Sequence, residues 1–301
     1  VSEGNVYYPV NKLCERTGEL LMVPIEEVKE SLYELTFAGE IVQDRRDDVD
    51  LAYLAPYYIA EQRLASNLKV LKESEGRSID TDPDSLILSK EGESGITLGK
   101  EQRNAVKHAI TNPVTVITGG PGTGKTTIIN TIIKVLKAWG YDVEIAAPTG
   151  RAAKRITETS GFEAKTIHRL LEYSYGTDDE YMYFKRDEDN PLACDCVIVD
   201  EASMIDLMLA DALVRAIKPG TKLIIVGDKD QLPPVGAGNV LKDIIESEAI
   251  DTIRLTEIYR QAEESLIITN AHRINKGEYP WYNEKGKEFF FMHETREKEI
   301  A

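Results

Sequence analysis

The segment Gly119–Thr126 has the residue types and spacing of a phosphate-binding loop. Its sequence GGPGTGKT matches the pattern G-x-x-x-x-G-K-[ST], with a strand-like VIT before it and helical spacing of apolar residues after it. Glycines allow backbone amides to turn toward a triphosphate, Lys125 reaches the β and γ phosphates, and the Thr126 hydroxyl is a ligand for Mg²⁺. An ordinary glycine turn would not require this strand-then-helix context. The sequence therefore predicts ATP and Mg²⁺ as cofactors, with a nucleotide site formed by Gly119, Gly120, Pro121, Gly122, Thr123, Gly124, Lys125, Thr126 and Thr127.

Two further groups of polar residues follow apolar runs and could complete a site for ATP hydrolysis. VIVDEAS places Asp200 and Glu201 directly after a strand-like run. Asp200 is suited to hold Mg²⁺ through water, and Glu201 to act as general base on the attacking water. The next apolar run ends in VGDKDQLPPVGAG, where Gln231 is suited to contact the γ-phosphate and report its presence. The alternative for this loop is structural punctuation by its prolines and glycines.

The elements that must position these residues are short apolar runs alternating with helix-length segments. The runs are VTVIT at 114, VEIAAPT at 143, CVIVDEAS at 196, KLIIVGD at 222 and TIRLTEIYR at 252. Runs of Val and Ile bounded by turns are typical of strands buried on both faces, and hence of a parallel α/β sheet. Ligands of such sheets bind beyond the carboxyl ends of the strands, which is where the polar residues fall.

The N-terminal part of the chain has a different organisation. Residues 25–43 have apolar positions at helical spacing, the charged turn DRRDDVD and the strand-like LAYLA follow, and an amphipathic helix is predicted from about Tyr57. This order resembles a winged-helix module and predicts a small α+β domain over residues 1–75. Residues 76–95 are rich in Ser, Gly and acids and are predicted to be a linker, so that the α/β domain spans residues 96–301.

The distribution of charge limits where a polyanion could bind. The formal net charge is −16, yet residues 96–171 contain 11 Lys and Arg against 5 Asp and Glu. Residues 1–95 contain 10 against 20, which favours a packing or spacer role for the N-terminal module over DNA binding. Within the basic segment, Arg151, Lys154 and Arg155 either contact a polyanion or form a solvated helix face.

Seven segments, in their order along the chain, resemble the first motor domain of a superfamily 1 DNA helicase. They are ITLGKEQRNAV, GGPGTGKTT, AAPTGRAAKRI, TIHRLL, VIVDEASMID, VGDKDQLPPVGAG and EIYRQ. The set is most similar to the RecD-like family, which is related to the exodeoxyribonuclease V alpha subunit. The resemblance covers residues 96–275. It implies a RecA-like P-loop NTPase fold and a parent helicase that uses ATP to move 5′ to 3′ on single-stranded DNA.

The resemblance also implies roles for individual residues. Gln102 matches the family glutamine that hydrogen-bonds adenine, whose edge suits an amide. Tyr259 and Arg260 match the pair in which the ring stacks on the base and the arginine reaches the γ-phosphate. A histidine in TIHRLL could, on the residues alone, equally belong to the core with satisfied hydrogen bonds. The positions that match the family's contacts to single-stranded DNA are Pro148, Thr149, Arg151 and His168.

Between two of these segments, residues 172–193 predict a β-hairpin. Tyr173, Tyr175, Tyr181 and Tyr183 alternate around GTDD, which favours one aromatic face. In the RecD-like family a hairpin at this place acts as a wedge that splits duplex DNA. The same aromatic face could instead pack against the motor core, and one side of a hairpin could do each.

Composition argues against two other classes of protein. No apolar stretch approaches the length of a transmembrane helix and no N-terminal signal pattern occurs, so we expect a soluble protein with no membrane partner. Three cysteines cannot form a disulfide framework and indicate a reducing, cytoplasmic compartment. Cys194 and Cys196 have no accompanying Cys or His pair, which disfavours a metal site at these thiols.

The resemblance implies that the parent is an ATP-dependent DNA helicase whose second motor domain lies outside this sequence. We therefore expect this chain alone to bind nucleotide, to hydrolyse it poorly and not to unwind DNA. Two other classes stay open on the residues alone. One is a phosphate-loop ATPase that lacks DNA stimulation, and the other is an ATP-dependent binding module whose acidic N-terminal region recruits a protein partner.

Overall fold

The computed structural model describes residues 3–78, 81–175, 182–258, 265–282 and 288–290. The N-terminal elements are β1 (Tyr7–Pro9), α1 (Val10–Leu21), α2 (Ile25–Phe37), β2 (Ile41–Arg46), β3 (Val49–Leu54) and α3 (Ala55–Glu73). The three strands form an antiparallel sheet in the order β1-β3-β2. The helix, hairpin and helix therefore follow one another as the sequence predicts.

The turn of this hairpin is shorter than the sequence predicts. Asp44 to Arg46 extend β2, and β3 already begins at Val49. The turn itself consists of Asp47 and Asp48, both with positive φ, 48° and 61°. Aspartate tolerates this left-handed conformation better than most residues, so a two-residue turn suffices. The predicted turn was too long because charged residues on exposed strand ends resemble loop residues in sequence.

The larger part of the chain alternates strands and helices. Its helices are α4 (Pro83–Ser94), α5 (Lys100–Thr111), α6 (Lys125–Ala138), α7 (Gly150–Ser160), α8 (Ile167–Leu170), α9 (Leu207–Arg215), α10 (Val240–Ser247) and α11 (Leu266–Asn275). Its strands are β4 (Val114–Gly119), β5 (Val143–Ala147), β6 (Lys165–Thr166), β7 (Tyr173–Tyr175), β8 (Met182–Phe184), β9 (Cys196–Val199), β10 (Lys222–Gly227) and β11 (Thr252–Leu255).

Six of these strands form one parallel sheet, in the order β11-β4-β10-β9-β5-β6. Side chains of successive residues in a strand point to opposite faces of the sheet. Val116 therefore lies in the hydrophobic cluster on one face and Ile117 in the cluster on the other. Burial on both faces explains the uninterrupted apolar runs of the sequence. The sheet confirms the predicted RecA-like α/β fold class.

The N-terminal module packs on one face of this sheet through α3. Leu64 and Leu68 of α3 lie in the same hydrophobic cluster as Leu213 and Val214 of α9. Arg63 forms an ion pair with Asp211, whose side chain is 3% exposed. Because removal of Arg63 would leave the buried Asp211 carboxylate without a compensating charge, this pair ties α3 to α9.

A helix lies within the segment that the sequence predicts as a linker. Asp82 caps α4 by accepting a hydrogen bond from the Ser85 backbone N–H at 3.0 Å. Ile87 is fully buried beside α5 and α6, whereas Leu88 is 54% exposed. One buried apolar position on a polar helix leaves no amphipathic pattern, so sequence periodicity could not reveal α4.

Strands β7 and β8 form an antiparallel hairpin at the predicted place, and its described residues correct the predicted aromatic face. Tyr173 pairs with Phe184, whereas Tyr183 pairs with Ser174. Side chains alternate between faces along a strand, so Tyr183 lies on the face opposite Tyr173. Phe184 takes the predicted place of Tyr183 beside Tyr173, with ring centroids 4.8 Å apart. Tyr181 lies outside the described residues.

No helix in the described part of the chain has the length and hydropathy needed to cross a membrane.

Candidate nucleotide-binding site

The predicted phosphate loop joins the end of β4 to the start of α6, so the N-terminus of α6 points at the loop. Gly122 and Gly124 have φ of 80° and 81°, a conformation that glycine adopts without strain. A Cβ on Gly119 would lie 2.7 Å from Oγ1 of Thr123, so this position also requires glycine. The loop therefore has the turned, closely packed backbone that anion binding at a helix N-terminus requires.

Lys125 begins α6 and turns its ammonium group back onto the loop. Its Nζ donates hydrogen bonds to the carbonyl oxygens of Gly119, at 2.6 Å, and Gly120, at 3.0 Å. Burial lowers the pKa of Lys125, while the charges of Asp228, Glu201 and Asp200 act in the opposite direction. A largely buried ammonium group that donates to two carbonyl oxygens is well suited to exchange them for charged phosphate oxygens.

Asp200 and Glu201 follow directly on β9, as predicted, near the phosphate loop. Burial raises the pKa of Asp200 to about 6, against the hydrogen bond that the Glu201 N–H donates to its Oδ1 at 2.8 Å. Glu201 has φ 54° and ψ 39°, a left-handed conformation that is uncommon for glutamate. Strained backbone of this kind concentrates at functional sites, where surrounding structure stabilises it.

The raised pKa of Asp200 predicts how stability depends on pH. Between about pH 4 and pH 6 the folded chain binds this proton more tightly than the unfolded chain, so the free energy of unfolding falls as pH rises through that window. We expect Asp200→Asn to remove this fall and to stabilise the nucleotide-free protein by about 2 kcal/mol at neutral pH. Urea unfolding of both proteins without Mg²⁺, from about pH 4 to neutral pH, measures the free energy of unfolding.

The matched control is Glu158→Gln, which neutralises an acid with a largely exposed side chain. This variant should unfold with the pH dependence of the original protein. If Asp200→Asn also follows that dependence, burial of the Asp200 carboxylate contributes nothing to stability and the expectation is wrong.

The loop after β10 lies beside the carboxylates because β10 runs between β4 and β9. Asp228 is buried, and its Oδ1 accepts a hydrogen bond from the Asp230 N–H at 3.0 Å. Gln231 accepts a hydrogen bond at Oε1 from the Ser203 hydroxyl at 3.1 Å, which links it to the 3₁₀ turn following Glu201. The two polar loops are thus joined by a side-chain contact.

Gln102 braces the phosphate loop. It is 4% exposed, its Oε1 accepts a hydrogen bond from the Gly99 N–H at 3.1 Å, and its Nε2 donates to the Thr123 carbonyl at 3.2 Å. These two bonds leave one lone pair on Oε1 and one N–H on Nε2, which is the donor and acceptor pair that a contact to adenine, implied by the resemblance, would use. That contact stays a prediction. Tyr259 and Arg260 lie outside the described residues.

Two contacts at the site were not predicted from the sequence. Glu101 accepts hydrogen bonds from the Thr256 backbone N–H and hydroxyl, both at 2.6 Å, and so ties α5 to the residue after β11. His272 on α11 lies 3.0 Å from the Pro121 carbonyl of the phosphate loop. In each contact the two residues are more than 100 positions apart in the chain, and no local sequence pattern predicts such a pair.

The four positions predicted to contact single-stranded DNA lie beyond the ends of β5 and β6. Thr149 caps α7 by accepting a hydrogen bond from the Ala152 N–H at 3.3 Å, and Arg151 in the first turn of α7 is exposed. Pro148 lies between β5 and this cap. His168 is exposed, with its ring 5.3 Å from Tyr173, so the core alternative for this histidine is wrong.

The chemistry of the donors fits Mg²⁺ better than a transition metal. No cluster of three or more His, Cys, Asp or Glu residues able to hold a metal occurs among the residues that the structure describes. Mg²⁺ is commonly bound by one or two protein oxygens together with substrate phosphates and water. Thr126, in the first turn of α6 after β4, and Asp200, directly after β9, supply oxygens of this type from strands that are separated only by β10.

Comparison with known proteins adds independent findings. The sequence model of the AAA_30 family, described as an AAA domain, matches residues 97–288. The ATP-dependent RecD2 DNA helicase of Deinococcus radiodurans is 37% identical over 233 residues, which cover 77% of this chain and 31% of that protein. RecBCD enzyme subunit RecD of Mycolicibacterium smegmatis is 35% identical over 220 residues, which cover 65% and 38%. The chain thus spans about a third of the length of these relatives.

One solved structure is also similar. Pif1 helicase from Candida albicans aligns with 62% of this chain and 45% of its own, at a TM-score of 0.44 and 25% sequence identity.

Proposed function

The chain belongs to the AAA_30 family of AAA domains, with RecD-like helicases among its relatives, and from this premise we propose that it is the first motor domain of an ATP-dependent DNA helicase. The observation that carries the proposal is the clustering of Lys125, Asp200 and Asp228 at the ends of three adjacent strands. Such clustering provides one cation and two acids around a glycine loop, as phosphoryl transfer requires.

The residues of this chain divide the chemistry of ATP hydrolysis among them. Lys125 holds the β and γ phosphates and neutralises charge that develops on them. Glu201 accepts the proton of the attacking water while the water oxygen bonds to the γ-phosphorus and the bond to the bridging oxygen breaks. Gln231 is proposed to contact the γ-phosphate. By resemblance, Arg260 would contact it as well and Tyr259 would stack on the adenine base.

Mg²⁺ is the metal that this site would use. Thr126 would hold it through the hydroxyl and Asp200 through water, and Mg²⁺ would neutralise charge on the phosphate oxygens. The pKa of Asp200, raised to about 6 by burial, leaves this carboxylate ionised at neutral pH and favours a cation beside it.

Single-stranded DNA would bind across the ends of β5 and β6. The exposed His168, the exposed Arg151 and the cap of α7 at Thr149 lie on this side of the sheet. His168 packs against Tyr173 and Phe184 of the hairpin, with centroids 5.3 and 5.7 Å away. This aromatic cluster offers faces on which bases can stack. Movement 5′ to 3′ and use of the hairpin as a wedge are further parts of the proposal.

The proposal is tested by binding of single-stranded DNA with and without a non-hydrolysable ATP analogue, over a salt series and with duplex as competitor. Affinity that prefers single strands, weakens with salt and shifts with nucleotide supports a helicase motor domain. Nucleotide binding without any DNA binding at low salt would instead indicate a phosphate-loop ATPase of another class.

Arg151→Glu is expected to weaken single-stranded DNA binding about tenfold or more at low salt. Loss of one phosphate contact should also reduce the slope of log affinity against log salt by about 0.7. Fluorescence anisotropy with a labelled oligonucleotide measures both quantities.

Lys242→Glu provides the control, since it reverses an exposed charge on α10, the helix that connects β10 to β11 rather than following β5 or β6. It should change both quantities much less. Equal slopes for the original protein and Arg151→Glu would remove Arg151 from the DNA site.

A further inference from the structure

His272 contacts the phosphate loop from α11. Its Nε2 lies 3.0 Å from the Pro121 carbonyl oxygen, and because a carbonyl only accepts, Nε2 carries the proton and donates it. The imidazole also packs closely on Gly120, where an added Cβ would lie 2.5 Å from Cε1 of His272. A hydrogen bond and a steric fit therefore both join α11 to the loop.

The helix that carries His272 is held firmly by the residues that follow it. Asn270 is fully buried, and its amide donates to the Trp281 carbonyl at 2.6 Å and accepts from the Trp281 N–H at 2.7 Å. The Arg273 guanidinium lies 4.3 Å from the centre of the Trp281 ring and pairs with Glu278 at 2.8 Å. We call this braced segment, residues 265–282, the α11 unit.

The direction of the Pro121 carbonyl bears on anion binding by the loop. In a trans peptide the C=O and N–H groups point in opposite directions, and the chain has no cis peptide among its described residues. Holding the Pro121 carbonyl toward His272 therefore directs the Gly122 N–H away from α11. A backbone donor that is fixed before the anion arrives costs less to order when it binds.

We propose that His272 is a positioning residue that holds the phosphate loop for nucleotide and links nucleotide occupancy to the α11 unit. The inference rests on the proposed binding of nucleotide at this loop. If the contact of His272 favours the binding-competent loop, then nucleotide must favour the contact to the same extent, because linkage is reciprocal. Nucleotide therefore stabilises α11 without touching it.

The test compares three variants by fluorescent-nucleotide titration and by hydrogen exchange of α11. His272→Ala should bind nucleotide about five- to tenfold more weakly, the loss expected for one neutral hydrogen bond. His272→Gln should recover most of the affinity, because the glutamine amide offers a donor near the position of Nε2. Asn275→Ala, an exposed position on the same helix, should bind as the original protein does.

Nucleotide-dependent protection of α11 from hydrogen exchange distinguishes a positioning role of His272 from a purely structural one. In the original protein, the His272→Gln variant and the Asn275→Ala variant, saturating nucleotide should slow exchange in residues 266–275. In His272→Ala at saturating nucleotide, this slowing should be absent although the loop is occupied.

The outcomes separate this inference from the proposed function. If His272→Ala keeps both the affinity and the nucleotide-dependent protection, His272 does not position the loop. If His272→Gln is as weak as His272→Ala, the hydrogen bond to Pro121 is not the positioning contact. In both cases nucleotide still binds and the proposed function stands. If the original protein binds no nucleotide, the proposed function fails and the inference fails with it.

Discussion

Lys125→Ala is expected to weaken binding of ATP analogues by about 100-fold or more. The Lys125 ammonium donates to two loop carbonyl oxygens, and nucleotide would replace these bonds with charge-assisted bonds to phosphate. Hydrogen bonds to charged groups contribute about 1.5–3 kcal/mol each, so the loss of two such bonds accounts for the expected magnitude. Titration with a fluorescent nucleotide in the presence of Mg²⁺ measures the affinity.

The control for this variant is Lys137→Ala, at an exposed position in the last turn of the same helix. It removes a lysine of the same helix without touching the phosphate loop and should leave the affinity unchanged. Thermal unfolding should show both variants folded. Lys125→Ala removes a buried ammonium group and so is not expected to lower the melting temperature. Nucleotide affinity equal to that of the original protein would exclude this loop as the triphosphate site.

Glu201→Gln is expected to leave nucleotide affinity within about twofold while lowering turnover by about 10²–10⁴. Glutamine preserves the size and hydrogen-bonding reach of the side chain but cannot accept the proton of the attacking water. The measurement is single-turnover hydrolysis by the full-length protein at saturating single-stranded DNA, together with an affinity titration.

A second variant separates chemistry from backbone conformation at this position. Glu201→Gly relieves the left-handed conformation at φ 54° and also removes the carboxylate, so it should be equally slow but not less stable. If Glu201→Gln retains its turnover number, another group removes the proton and Glu201 is not the general base.

The local part of the candidate site was accessible from the sequence. The phosphate loop, the acids after β9 and Gln231 after β10 each follow an apolar run, and strand, turn and ligand residue are then contiguous in the chain. Glycine spacing, a Lys-Thr pair and a strand-then-helix context depend on near neighbours alone. Burial also follows from the pattern, because an uninterrupted apolar run predicts a strand covered on both faces.

One helix was not predicted and one hairpin face was assigned wrongly, each for a physical reason. Helix α4 has one fully buried apolar residue, Ile87, and therefore no helical periodicity for the sequence to reveal. The hairpin face was assigned from the spacing of tyrosines, whereas the pairing register of β7 and β8 places Tyr183 opposite Ser174. Register is set by the paired strands together, and a shift of one residue changes the face of every side chain.

By itself the sequence determined where the phosphate loop and the acids after β9 lie, because each is a short contiguous pattern that follows a single strand. Only the tertiary structure decided which distant groups stand around that loop. Gln102 braces it through the Thr123 carbonyl, and His272 holds it from α11 through Pro121. The first contact joins residues 21 positions apart and the second joins residues 151 positions apart. Both form only because the fold brings separate helices to the phosphate loop at the carboxyl end of β4.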